Sequence, residues 1–124
     1  TADRLWLHPR NTQRVGSGMV INGYVYVVDE NGIPHCYDLR TGEEQWKFDK
    51  RPTGASTWGS MVHADGRLYV LMRNGETVVF NASPKYELLG VNKLNGETNS
   101  SLAISDGQIF VRTFKHLYCL EAKK

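Results

Sequence analysis

The stretch VINGYVYV, residues 20–27, decides the fold because it returns twice, as HADGRLYV at 63–70 and as ISDGQIFV at 104–111. The glycines of the three copies, Gly23, Gly66 and Gly107, stand 43 and 41 residues apart. Each follows Asn or Asp, the pair preferred in a type I′ hairpin, whose two central residues both need positive φ. Each precedes a run of β-branched and aromatic residues, which is a strand composition. The copies agree beyond the hairpin. Asn31-Gly32 recurs as Asn74-Gly75, and Ser17, Ser60 and Ser101 open the three units in one register. Asp38, Asn81 and Glu121 close the third strand of each unit. Each unit reads as three antiparallel strands, A, B and C. In the first, a fourth strand D follows the turn Asp-x-x-Thr-Gly.

A four-stranded unit of about 40 residues has the period of a propeller blade. A lone sheet of this kind exposes both faces, and stacking blades face to face buries them. The expected fold is therefore all-β, a partial β-propeller of about three four-stranded antiparallel blades. The units run roughly 14–50, 57–93 and 99–121, with 4–7 (RLWL) as an extra outer strand. A ring usually needs at least four blades. Two alternatives stay open: a piece of a longer propeller, or a self-associating piece in which RLWL of one copy completes the last blade of another.

The stretch Cys36-Tyr-Asp-Leu-Arg-Thr-Gly-Glu-Glu-Gln-Trp46 resembles the docking motif of PQQ-like, quinoprotein-dehydrogenase-like propellers, Ala-x-Asp-x-x-Thr-Gly-x-x-x-Trp. Cys36 stands in place of the alanine. The resemblance assigns Asp38, Thr41 and Gly42 to the turn between strands C and D, and Trp46 to packing between neighbouring blades. Residues 14–121 are also similar to the C-terminal part of PQQ-like propeller proteins of planctomycete-type bacteria. The second unit departs from the motif: Asn81-Ala-Ser-Pro-Lys85 replaces the turn and Leu89 stands where tryptophan is expected. The resemblance implies a secreted or periplasmic setting and a seven- or eight-bladed ring.

Bulk composition excludes several classes. The chain has 124 residues and a net charge of +2, with its basic residues scattered, so no nucleic-acid surface is indicated. No apolar run approaches the length of a membrane span. The segment TADRLWLHPR lacks the basic and apolar regions of a signal peptide. Cys36 and Cys119 occupy equivalent strand-C positions two units apart, too far for a disulfide. Both are expected to be small, buried and reduced. His8, His35, His63 and His116 show no metal-ligand spacing. The near-match to a nucleophile elbow, Val15-Gly-Ser-Gly18, repeats as Gly59-Ser60, so the repeat explains it.

Strand A is innermost in a propeller, so the residues leading into it sit at the channel mouth. They give the candidate binding set Arg14, Ser17, Trp58, Ser60, Asn99 and Ser101. Trp58 is the bulky exception, and it either packs between blades or faces a ligand. The polar loop Thr53–Ser60 suits binding from a rigid scaffold. Enzymes of the resembled family hold PQQ and calcium with acidic and amide ligands and often a Cys-Cys pair. This chain has no Cys-Cys pair and no acid at the starts of the inner strands. The expectation is a non-catalytic scaffold or binding module without a cofactor, recognising a protein or a glycan. An outer-membrane assembly lipoprotein of this fold is the analogy. The alternative is part of a PQQ- and calcium-dependent dehydrogenase with its remaining ligands in other blades. A propeller hydrolase would need acids along the axis that are not present.

Overall fold

The computed structural model describes residues 5–7, 16–46 and 51–121. Ten strands make three antiparallel sheets, and no helix occurs among the described residues. The first sheet holds β1 (Met19–Ile21), β2 (Tyr24–Val28) and β3 (Pro34–Asp38). The second holds β4 (Val62–Ala64), β5 (Arg67–Leu71), β6 (Glu76–Asn81) and β7 (Leu88–Lys93). The third holds β8 (Ala103–Ser105), β9 (Gln108–Arg112) and β10 (Leu117–Glu121). This is a partial propeller of three blades.

The turn chemistry explains the registers. Asn22-Gly23, Asp65-Gly66 and Asp106-Gly107 have positive φ at both residues, so they form the tight hairpins that fix the pairing of strands A and B. The other two pairs are built differently. At Asn31-Gly32 and Asn74-Gly75 only the glycine has positive φ. There, side chains hold the turn. Asp29 Oδ1 accepts the N–H groups of Asn31 (2.9 Å) and Ile33 (3.0 Å), while Asn74 Oδ1 accepts Glu76 N–H (3.1 Å). Glu76 in turn accepts from the Asn74 amide and the Thr53 hydroxyl, and these two bonds hold its carboxyl below the usual range.

Strand D completes the second unit as expected and is partly described in the first. In the first unit it is reduced to one bridge, Tyr37 to Glu44, among the described residues. The regular fourth strand is β7, in the unit that lacks the Thr-Gly motif. A register shift opposite Val79/Phe80 lets β7 absorb its longer connection. Residues 5–7 form no strand. They act through Trp6, whose Nε1–H donates to Leu39 O (2.8 Å) and whose ring lies 5.9 Å from Tyr37. The motif turn is built to receive it. Asp38 accepts Thr41 and Arg40 N–H groups, which lowers its pKa. Gly42 (φ +75°) lies under the Trp6 ring, which stands 2.6 Å from where a Cβ would sit.

The blades are joined by one aromatic wedge. Trp46 is 2% exposed and lies 5.4 Å from Tyr26, 5.3 Å from Phe80 and 5.4 Å from Tyr86, ring centre to ring centre. Its Nε1–H donates to Ser83 O (2.7 Å) on the next blade. Around it gather Cys36, Leu68, Val70 and Val78, all fully buried. The second junction has only Leu71, Leu102 and Val111 as its buried centre. Leu89, expected to mirror Trp46, sits in the register shift and is 46% exposed. Where an aromatic would enter, a cleft of about 350 Å³ remains, lined in part by Tyr69, Val79, Ile109 and Leu120.

Trp46→Ala should cost about 3–5 kcal/mol of stability, the range for deleting a buried aromatic. Trp46→Phe keeps a ring but leaves the Ser83 carbonyl unpaired, and should cost less, with about 1 kcal/mol lost from the hydrogen bond. Guanidinium unfolding of the three proteins measures both; equal stability of wild type and Trp46→Ala would refute the wedge.

Candidate functional site

Two threonines shape the inner loops. Thr57 Oγ1–H donates to Leu71 O (2.7 Å) while its oxygen accepts Gly59 N–H (3.0 Å). Forty-one residues on, Thr98 repeats both bonds, to Arg112 O and from Ser100 N–H. Both threonines are buried. Each pins its loop by a short polar staple, and the next residue, Trp58 or Asn99, is exposed beside it.

The predicted serines meet, but in a structural role. Ser17 N–H donates to Ser60 Oγ (2.9 Å), and Ser60 N–H donates to Ser101 Oγ (2.7 Å). Repeat-equivalent residues thus form a ladder from blade to blade along the inner strands. Asn99 and Trp58 lie elsewhere, joined by a residue that sequence reasoning missed. The Arg73 guanidinium lies 4.9 Å over the Trp58 ring, and its Nε–H donates to Asn99 Oδ1 (3.0 Å). Arg73 sits in the loop between β5 and β6. Its N–H donates to Ser56 O and its carbonyl accepts Thr98 N–H, both at 2.9 Å. A cleft of about 310 Å³ opens here, lined among others by Arg73, Asn74, Glu97, Asn99 and Phe114. Trp58 is 43% exposed and Phe114 64% exposed. Trp58 therefore belongs to an open face, outside both buried clusters. Arg14 lies outside the described residues.

The remaining polar groups serve turns. His35 contacts Asp29 through Nε2 (3.1 Å) and Glu44 through Nδ1 (2.8 Å), and stacks on Tyr37. Asp29 and Glu76, two carboxylates at the B–C turns of the first two blades, are committed to those turns. Among the described residues no three of His, Cys, Asp and Glu converge to hold a metal. The donor set among the described residues does not fit a calcium–quinone site, so no chemistry through one is derived. Cys36 is buried as expected, and burial pushes its thiol up to about 11. Cys119 is exposed, against expectation, because no further sheet among the described residues covers its face of β10, as the second sheet and Trp46 cover Cys36 on β3. The cysteines are not bonded to each other.

The fold and this face define a piece of a PQQ-like β-propeller. The family model described as outer membrane protein assembly factor BamB matches residues 1–48 and 40–123, and the chain belongs to that family. A search of curated protein sequences gives no match. Among solved structures, BamB from Moraxella catarrhalis is 13% identical (TM-score 0.62), over 82% of this chain and 29% of that one. A europium-containing methanol dehydrogenase is 13% identical (TM-score 0.64), over 78% and 19%. The quinohemoprotein alcohol dehydrogenase from Comamonas testosteroni is 17% identical (TM-score 0.62), over 82% and 17%. The chain thus spans less than a third of each. No helix among the described residues is long and apolar enough to cross a membrane.

At pH 8, iodoacetamide should label Cys119 and spare Cys36 until the chain is unfolded, read by peptide mass spectrometry. The raised Cys36 thiol also sets an alkaline limit. Its contribution is intact below the ordinary thiol value of 9 and lost as pH climbs towards 11. Cys36→Ala should flatten the fall in stability across that window; an unchanged profile would assign it to other groups.

Proposed function

We propose that this chain is a non-catalytic PQQ-like propeller module that binds a protein partner through the face around Trp58, Arg73 and Phe114. One observation carries the reading. This face exposes two large aromatics and an arginine on a stapled scaffold, while the turn carboxylates Asp29 and Glu76 are used up in structural bonds. Aromatics and arginine are the residue types that dominate protein interfaces. The family description, an assembly factor for outer membrane proteins, supports a protein partner over a glycan. It also supports a periplasmic or secreted setting. On this reading the chain is the C-terminal part of a longer propeller, as the planctomycete-type resemblance of residues 14–121 implies. The exposed Leu117 and Cys119, on the face of β10 opposite Tyr118 and Leu120, fit a further blade there, from the same chain or from a second copy. Light scattering on the isolated chain separates these: a discrete oligomer supports the second copy, a monomer the longer chain.

A second reading, part of a quinoprotein dehydrogenase, is favoured by the likeness to the two dehydrogenase structures. It requires ligands from blades outside this chain.

The test is site-specific photo-crosslinking in cells of the source organism, with benzoylphenylalanine at position 58 or, as a control, at Lys85. The binding-module reading expects one defined protein adduct from position 58 and none from position 85. Equal labelling from both would overturn it. Addition of PQQ and Ca²⁺ should leave both the quinone spectrum and the melting temperature unchanged; a shift in both would favour the dehydrogenase reading.

A further inference from the structure

We infer that Arg73 is the specificity-determining group of this face and that it receives a carboxylate side chain from the partner polypeptide. The inference rests on the binding-module reading and adds the chemistry of the ligand. Three fixed contacts hold Arg73: its N–H to Ser56 O, its carbonyl from Thr98 N–H, and its Nε–H to Asn99 Oδ1. Trp58 supports the guanidinium from one side. These contacts use only Nε. The two terminal nitrogens have no partner among the described residues, and they form the planar fork that matches a carboxylate. A fork held in advance loses little freedom when it binds.

The repeat shows that the fold does not need this side chain. Positions 30, 73 and 114 are equivalent, and they hold Glu, Arg and Phe. The backbone makes the same bond at two of them, Arg73 N–H to Ser56 O and Phe114 N–H to Glu97 O, both at 2.9 Å. The loop needs the backbone there and accepts an acid, a base or a ring as side chain. Arg73 therefore supplies a chemical property that the repeat does not impose. Trp58 under the guanidinium and Phe114 in the same cleft supply apolar area beside it, the surround in which an arginine contact is strongest.

Glu97 narrows the ligand. It lines the same cleft as Arg73, so the charged side chains of that cleft are one cation and one anion, with Arg112 and Lys115 in the clefts that adjoin it along Phe114. A polyphosphate or nucleic acid would meet Glu97 repulsion, whereas a single Asp or Glu beside an apolar residue would not. A segment with an acid next to a leucine or an aromatic, and a base within reach of Glu97, fits the charge pattern.

Random dodecapeptides displayed on phage, selected on the folded chain, test this. Selected peptides are then synthesised and titrated against wild type, Arg73→Gln, Arg73→Lys and Trp58→Ala, with melting temperatures confirming that each variant folds. The expected result is an Asp or Glu at a fixed position. Binding should weaken about tenfold with Arg73→Gln, weaken less with Arg73→Lys, and weaken when that acid becomes its amide. Peptides that need Trp58 but bind Arg73→Gln as tightly as wild type would overturn the carboxylate inference and leave the binding face standing. No selected peptide, or peptides indifferent to both substitutions, would overturn both. Trp58-dependent binding on a glycan array without any selected peptide would replace the polypeptide by a sugar.

Discussion

Everything in this chain depends on how one sheet is held against the next. A three- or four-stranded sheet of this size cannot bury both of its faces alone, so the junction supplies the core. At the first junction a single side chain does most of this. Trp46 leaves the first blade, fills the space between Tyr26, Phe80 and Tyr86, and ends in a hydrogen bond to Ser83 O. The ring supplies apolar area, and the indole N–H fixes where along the neighbouring turn it docks. Trp6 repeats the operation one blade earlier, donating to Leu39 O over Gly42. The motif Asp-x-x-Thr-Gly thus has two uses. It turns the chain into the fourth strand, and its glycine clears the floor on which the preceding tryptophan rests.

The second junction is built on a different principle. The aromatic wedge is missing, Leu89 is pushed out by the register shift, and a cleft stands where the wedge would be. Polar bonds carry a larger share of the connection: Ser60 N–H to Ser101 Oγ, Thr98 N–H to Arg73 O, and Arg73 Nε–H to Asn99 Oδ1. All three lie towards the inner loops, and together they set the positions of the exposed aromatics there.

Much of this was legible in the sequence, and the reason is repetition. Three aligned Gly residues gave strand number and pairing, because type I′ hairpins demand positive φ at two consecutive positions, and the structure has it at all three. The serine register was legible too, although its purpose was not. Ser17, Ser60 and Ser101 looked like a channel lining, and the structure uses them to connect blades through N–H to hydroxyl bonds. Periodicity reveals that a position matters and is silent on what it touches. The fourth strand was legible in the second unit, and what the sequence did not show is how little of it the motif decides. The turn motif was taken as its signature, yet β7 is regular without that motif, since pairing along β6 suffices and a bulge absorbs the altered turn. The exposure of Cys119 was missed because equivalence along the chain does not extend to the neighbour that covers it: the second sheet buries Cys36, and no described sheet lies over the same face of β10.

The candidate site was only half legible, and the missing half is informative. Trp58 and Asn99 stood out because they break a run of small residues at a repeated position. Arg73 did not, since an arginine in a turn is ordinary and the scattered basic residues gave it no emphasis. Its importance appears only when three dimensions bring it between Trp58 and Asn99. In a repeat protein, structural needs recur with the period and functional ones do not. The residues that hold blades together, such as the serines and the staple threonines, recur at 43 or 41 residues. On the proposed binding reading, recognition belongs to positions that change from unit to unit while their backbone bonds stay the same, and Arg73 and Phe114 share such a position. The signal for the site was present as a disagreement between copies, and it becomes readable once the agreement has been assigned to the fold.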